Sequence, residues 1–274
     1  MEANLAMSNL DTLENKSIYI IREAFKKVPP EQIATLWSMG KDSTVLLWII
    51  RKAFLGKVPF SVMHIDTGYK FPQMYEYRDR MSKEWTLDLK IAKNESALKK
   101  RMNKERGVIS CCKALKTDAL RKTVKKLGLK VLLLAIRRDE HGIRAKERYF
   151  SPRNEDFVWD YHHQPLEMWD RYEIADGKGL HTRVHPLLDW TELDIWRYIE
   201  AENIPVIDMY FAKGGSRYRS IGCASCTEPI TSNAATISEI IRELEQTKDP
   251  ERKGRAQDKE NQGIMQKLRA LGYM

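Results

Sequence analysis

A chain of 274 residues and 32.0 kDa is long enough to bury a substantial core. No stretch approaches the roughly 20 apolar residues that a membrane-spanning helix needs, and the N-terminus lacks the basic start and apolar block of a secretory signal, so no membrane partner and a cytoplasmic location are expected. A net charge of +9 favours polyanionic partners, and four cysteines are too few to staple a chain of this size.

Residues 10–28 space Leu13, Ile18, Ile21 and Phe25 at helical intervals before Pro29 and Pro30, which predicts a lead-in helix. Residues 33–37 read as a short buried strand, 38–43 as a loop and 44–54 as an apolar helix. A second strand over 58–65 ends at Asp66, Thr67 and Gly68; residues 71–85 have a charged amphipathic character, and 90–92 offer a third strand. The aliphatic run 131–136 is the pattern of a strand covered on both faces. This alternation predicts an α/β fold with a doubly wound, mostly parallel, Rossmann-like sheet and a site at the carboxyl ends of its strands.

Residues 137–169 are dense in charge and aromatics with little periodicity, and are expected to form long functional loops. His181 and His185 flank a further strand candidate. A helix over 189–201 is capped by Asp189 or Thr191, a short helix follows over 238–244, and the polar remainder is broken by Pro250, Gly254, Gly263 and Gly272. The expected division is a domain over residues 1–210 and a C-terminal appendage over 211–274.

The strongest local motif is Ser38, Met39, Gly40, Lys41, Asp42, Ser43 between strand and helix. Amides converging at a helix N-terminus, a residue without a side chain and a nearby cation are what a bound phosphate requires. Gly40 and Lys41 meet those needs, and Ser38 and Ser43 add hydroxyl donors; the alternative is an ordinary turn carrying a chance lysine. The loop lacks the first glycine of a Walker A motif, which points away from cleavage of ATP at its terminal phosphate.

The motif resembles the pyrophosphate loop of the adenine nucleotide alpha hydrolases, in the branch of ATP pyrophosphatases that holds phosphoadenylylsulfate (PAPS) reductases and the small subunit of sulfate adenylyltransferase. Further segments are similar to that branch: His64, Asp66, Thr67, Gly68, Lys70 and Phe71; Arg137, Arg138, Asp139, Glu140 and Arg144 to Glu147; and Pro186, Leu187, Trp190 to Glu192, Asp194, Trp196 and Ile199. Glu251, Arg252, Gly254, Arg255, Asp258, Gly263, Met265, Gly272 and Tyr273 are similar to the tail of the sulfate adenylyltransferase small subunit. The resemblance implies cleavage of ATP between its α and β phosphates, with AMP transferred to an acidic oxygen and pyrophosphate released. It implies ATP contacts from Ser38, Gly40, Lys41, Asp42, Ser43, Asp66, Thr67 and Gly68, and Mg2+ beside the polyphosphate. Lys41 is placed to hold the leaving pyrophosphate, and Arg137, Arg138 and Arg144 to neutralise the phosphate or the attacking acid; a surface ion-pair group with Asp139, Glu140 and Glu147 is the plainer account of the arginines.

Cys111 and Cys112 are adjacent, and Cys223 and Cys226 stand two residues apart. If the fold joins the pairs, four thiolates can close one site; adjacent cysteines suit two irons of a 4Fe–4S cluster better than one Zn2+. Zinc, a redox disulfide and inert thiols are the alternatives. The pairs resemble those that hold a cluster in adenylylsulfate reductases, yet no cysteine follows Cys226 to act as the reductase nucleophile. The sulfate adenylyltransferase small subunit carries no such quartet and has a longer insertion where only residues 212–220 intervene here. The expected function is therefore activation of a nucleic acid, DNA in phosphorothioation or a tRNA, for sulfur delivered by a cysteine desulfurase. Sulfate activation with a large partner subunit is the alternative, and a reductase-like protein the third reading. Lys99, Lys100, Arg101, Lys104 and Arg106, and Lys213, Arg217, Tyr218 and Arg219, are the expected nucleic-acid contacts, the first group being otherwise an ordinary solvated face.

Overall fold

Strands β1 (Ile33–Leu36) and β4 (Val131–Leu133) are buried along their whole length and lie in the middle of the sheet. The computed structural model describes residues 8–174, 177, 181–252 and 264–272. Helix α1 (Asn9–Lys27) precedes β1, which is followed by α2 (Lys41–Ala53), β2 (Ser61–Asp66), α3 (Pro72–Glu84) and β3 (Leu89–Lys93). Helices α4 (Glu95–Lys99), α5 (Val108–Cys112) and α6 (Asp118–Leu127) lead to β4, then β5 (Phe150–Arg153) and β6 (His181–Val184). Helix α7 (Glu192–Glu202), a two-stranded ribbon of β7 (Ser216–Arg217) and β8 (Ile230–Thr231), α8 (Ile237–Gln246) and α9 (Ile264–Ala270) complete the described chain.

The order in the six-stranded sheet is β3-β2-β1-β4-β6-β5, all parallel except β5, which runs antiparallel to β6. The chain winds outward from β1 to β3 and then returns to lay β4 on the other side of β1. That reversal opens a crevice beyond the carboxyl ends of β1 and β4, where α/β sheets hold their ligands. Thr35 of β1 pairs with Val62 on one side and Leu133 on the other, which fixes the register at this point. The doubly wound α/β architecture expected from the sequence is present.

Caps set the helix starts. Ser8 and Asp11 form a capping box on α1, Thr191 and Asp194 on α7, and Thr236 and Glu239 on α8. Thr191, rather than Asp189, is thus the cap of α7. Trp190 Nε1 donates to Ser17 Oγ at 3.0 Å, and Ser17 Oγ donates to the Pro186 carbonyl at 2.9 Å, so α1 is tied to the segment that introduces α7.

Three differences from the sequence reading have local causes. Helix α2 starts at Lys41, not at residue 44, because Gly40 is its extended N-cap and the polar first turn hides the apolar period. Strand β5 lies inside a segment expected to be loop. It has no alternating pattern, and Pro152 suits it because it is the outer strand. Residues 95–127 hold three helices, and a π-type turn at Lys113–Thr117 between α5 and α6 breaks the helical period there.

The outer face of β5 is covered by side chains of the following loop. Glu167 accepts from the N–H groups of Tyr149 at 3.2 Å and Phe150 at 2.7 Å, and Gln164 Nε2 donates to the Phe150 carbonyl at 2.8 Å. At the far end of the described chain, Gly272 presents its carbonyl to Arg183 at 2.9 Å. Of the tail residues that carry the resemblance, Gly254, Arg255, Asp258, Gly263 and Tyr273 lie outside the described residues. No described helix is long and apolar enough to cross a membrane.

Candidate active site

The loop after β1 is closed by its own hydroxyls. Ser43 Oγ accepts from the Ser38 N–H at 3.1 Å and donates to the Gly40 carbonyl at 3.0 Å, and Ser38 Oγ accepts from the Gly40 N–H at 3.3 Å. Met39 takes a left-handed backbone, φ 62°, with its side chain buried. A Cβ at Gly40 would stand 3.2 Å from Ser38 Oγ and 3.5 Å from Tyr210 Oη, so only glycine leaves this turn undisturbed. Tyr210 accepts from the N–H of Lys41 at 2.8 Å, and its ring is held edge-on against Trp196 of α7, centroids 5.3 Å apart. Burial pushes the Tyr210 phenol up to about 12, so it stays protonated.

Around this turn four carboxylates and three cations from distant segments meet. The Lys41 ammonium is buried and lies 3.3 Å from Asp42, 3.9 Å from Glu192 and against Glu251. Arg137, fully buried just beyond β4, pairs with Asp42 and Glu251 and with Asp139 at 2.9 Å. Arg219 grips Glu192 with Nε at 3.2 Å and Nη2 at 2.7 Å. Burial opposes the charge on Lys41, yet Glu251 and Glu192 outweigh it and raise its pKa. Burial likewise opposes Arg137, and Glu251 with Asp139 hold it charged. Burial and the charge of Glu251 raise Glu192, whereas Lys41 and Arg137 overcome burial and hold Glu251 far below the usual carboxylate range.

Of these groups Lys41, Asp42 and Glu251 line a cleft at the sheet reversal, and Arg137 stands behind them, paired with Asp42 and Glu251. The apolar wall of the cleft comes from Leu36, Met63, Ile65, Leu134, Ile136 and Ile221, its polar rim from the turn together with Lys70, Lys116, Glu140, Arg144 and Arg252. Ser38, Gly40, Lys41, Asp42, Ser43, Arg137 and Arg144, all singled out from the sequence, are therefore brought together. Arg144 pairs with Glu140, which also accepts from Arg252 at 3.0 Å. Arg138 is not among them. It pairs with Asp189 on the side facing α1, where Lys16 also reaches Asp189 at 2.9 Å.

Asp66 at the end of β2, and Thr67 and Gly68 after it, do not line the cleft; Ile65 and Lys70 from the same segment do. The Asp66 carboxylate accepts from the Gly68 N–H and the Tyr75 hydroxyl, both at 2.8 Å; those bonds and Lys93 outweigh burial and lower its pKa. Thr67 Oγ1 lies 3.2 Å from Cys223 Sγ, so this turn looks toward the cysteines. Tyr210, Glu192, Arg219, Glu251, Lys70 and Lys116 complete the site, and local reading did not assign them to it.

The four cysteines share one neighbourhood. Cys112, Cys223 and Cys226 are buried and Cys111 is half-buried; none is in a disulfide. Burial, and then the nearby Cys112, Cys223 and Cys226, push the Cys111 thiol up to about 12. Among the described residues no group of three or more histidine, cysteine or acidic side chains is drawn into a geometry that could hold a metal ion. The donor set suits a metal in kind and neighbourhood, and the side chains are not closed around a centre.

The expected nucleic-acid contacts divide. Lys99, Lys100, Arg101, Lys104 and Arg106 are all exposed. In the second group only Lys213 is exposed. Arg217 is buried against Glu243 at 2.6 Å, Arg219 is committed to Glu192, and the Tyr218 ring packs on Phe71, centroids 5.2 Å apart. Trp159 lies under Arg269 and donates to Gln164 at 3.0 Å, while Trp169 is 82% exposed. His162 and His163 are exposed, and His163 is held by Asp160 at 2.9 Å.

Comparisons with known proteins show the family and the fold. Sulfate adenylyltransferase subunit 2 of Agrobacterium fabrum is 38% identical over 97% of this chain and 93% of its own length. The protein of the same name from Colwellia psychrerythraea is 37% identical, over 97% of this chain and 99% of its own. Among solved structures, the PAPS reductase of Candida auris in a phosphate complex superimposes with a TM-score of 0.53 at 18% identity, covering 82% of this chain and 99% of that one. Yeast FAD synthetase in complex with FAD gives 0.54 at 18%, covering 91% and 92%. At such identities these two speak for the fold alone. Residues 32–229 match the phosphoadenosine phosphosulfate reductase domain, and the chain belongs to that family.

Proposed function

We propose that this protein is the ATP-cleaving subunit of a sulfate adenylyltransferase, transferring AMP from ATP to sulfate and releasing pyrophosphate beside a larger partner subunit. The observation that carries the reading is the buried Lys41 and Arg137 pair at the start of α2, which already grips an anionic group where a departing diphosphate would lie. Near-full-length relatives named sulfate adenylyltransferase subunit 2 favour sulfate over a nucleic acid as the acceptor. The burial of Arg217 and Arg219 in ion pairs removes two of the phosphate contacts on which the nucleic-acid reading relied.

In this reading the apolar wall of Leu36, Ile65 and Ile136 receives the adenine, and the turn 38–43 receives the phosphates. A sulfate oxygen attacks the α phosphorus, the bond to the bridging oxygen breaks, and the charge gathering on pyrophosphate is met by Lys41, Arg137 and the first amides of α2. Arg144, Lys70 and Lys116, at the other rim, offset the charge of the incoming sulfate. Mg2+ supplies further charge neutralisation when it enters with the triphosphate, and Asp42 and Glu192 are the carboxylates beside the turn that would hold it.

We also propose that Cys111, Cys112, Cys223 and Cys226 hold a 4Fe–4S cluster that pins α5 to the 223–226 turn beside the cleft. The convergence of both pairs on one neighbourhood supports it. The acceptor is tested by measuring pyrophosphate release from ATP and Mg2+ with the large partner subunit present. Sulfate-dependent release supports the proposal; release that ignores sulfate and follows added DNA or tRNA overturns it.

A further inference from the structure

Residues 249–252 cross the mouth of the cleft and are fastened at three points. The Asp249 carbonyl accepts from Arg219 Nη1 at 2.9 Å, the Glu251 carboxylate reaches Lys41 with one oxygen and Arg137 with the other, and Arg252 Nη1 donates to Glu140 at 3.0 Å. The Glu251 side chain is only 6% exposed. A surface tail has no packing reason to bury a carboxylate, but a buried ammonium and guanidinium have a strong electrostatic reason to take one. Lys41 also meets Asp42 and Glu192, and Arg137 also meets Asp42 and Asp139, but Glu251 is the carboxylate that touches both and the one the strap brings. The two carboxylate oxygens divide between Lys41 and Arg137 as two phosphate oxygens would.

We propose that Glu251 is an internal stand-in for the substrate's diphosphate: the strap seats its carboxylate between Lys41 and Arg137, and nucleotide binds by exchanging phosphate oxygens for it. This rests on the reading of that seat as the pyrophosphate site. Both anions cannot share the seat, since like charges a few ångströms apart repel strongly where water is scarce. The exchange loosens the strap at its most buried fastening, the others including a carbonyl bond and an ion pair at the rim. A nucleotide lacking β and γ phosphates reaches the apolar wall without evicting Glu251. The strap thus weakens triphosphate binding by the fraction of molecules in which it is closed, and does not penalise AMP.

The test titrates inorganic pyrophosphate, with and without Mg2+, into the natural chain and into Glu251→Gln. It also follows amide hydrogen exchange over residues 247–252 in the natural chain alone, an arm that needs no variant. The expected result is binding at least about tenfold tighter in the variant, an unchanged AMP affinity, and faster exchange in the strap on adding pyrophosphate but not AMP. Equal affinity with unchanged exchange overturns the stand-in and leaves the pyrophosphate seat intact. Weaker binding in the variant makes Glu251 part of the ligand's own cradle and likewise overturns it. No pyrophosphate binding by either protein overturns both readings.

Discussion

The hydroxyl of Tyr210 accepts the backbone N–H of Lys41 at 2.8 Å, so a residue 169 positions away in sequence completes the first turn of α2. The N–H is buried, and a phenylalanine ring in place of the phenol offers it no acceptor. Tyr210→Phe is therefore expected to lose about 1–3 kcal/mol of stability, the cost of stranding a buried donor. Urea denaturation should show a lower midpoint at an unchanged slope; an unchanged midpoint would show that the bond contributes nothing.

Lys41→Ala keeps Glu251 paired with Arg137 and leaves no buried charge alone, so the fold should persist. Pyrophosphate release should fall by about 100- to 1000-fold, the range for removing one preorganised donor to a developing negative charge. Full turnover in this variant would remove the lysine from the chemistry and the phosphate reading with it.

Three buried histidines make stability sensitive to acid. Burial holds His64, His181 and His185 below their ordinary value of 6.5, to about 4 at His64 and His185. Lys70 adds to the effect at His64 and Arg183 at His181, while Glu147 opposes it at His185. As pH falls below 6.5 the unfolded chain takes up these protons first, so stability present at neutral pH is lost toward pH 4. Each ring contributes about 1.4 kcal/mol per pH unit within that window. Denaturation at a series of pH values should give this slope, and His64→Asn should reduce it by about one proton; a slope unaffected by the variant would contradict the assignment.

Gly272 sits at φ 82°, and a Cβ there would come within 2.9 Å of Phe157 Cβ and 3.1 Å of the Asp156 carbonyl. Gly272→Ala is expected to destabilise the protein by about 1–2 kcal/mol from backbone conformation alone, with the contact adding more. A melting temperature equal to that of the natural chain would refute it.

Protein purified without oxygen should contain about four iron and four sulfide per chain, the content of one cubane. Cys223→Ser should lose most of it. Zinc in place of iron, or no metal at all, would dismiss the cluster.

What the sequence made legible was whatever lay close together along it. The turn 38–43 could be read because amides, glycine and lysine sit within six residues, and the sheet because β1 is mostly and β4 wholly aliphatic. The partners of that turn could not be read so. Tyr210, Glu192, Arg219 and Glu251 reach it only through the order of the strands, and each looks like an ordinary surface or core residue in its own segment. The same lack of long-range information made Arg217 and Arg219 look available to a nucleic acid, although both are spent on Glu243 and Glu192. Arg138, one position from Arg137, stands at a bend in the chain and pairs with Asp189 instead.

Glu167 and Gln164 have a consequence for assembly. By taking the outward N–H and C=O groups around Phe150, they deny that flank of the sheet to any incoming strand. The other edge of the six-stranded sheet is β3, which carries Lys90 and Lys93, held by Asp88 and by Asp66 and Glu95. Any chain that packs on the β5 flank must therefore do so through side chains rather than by adding a strand.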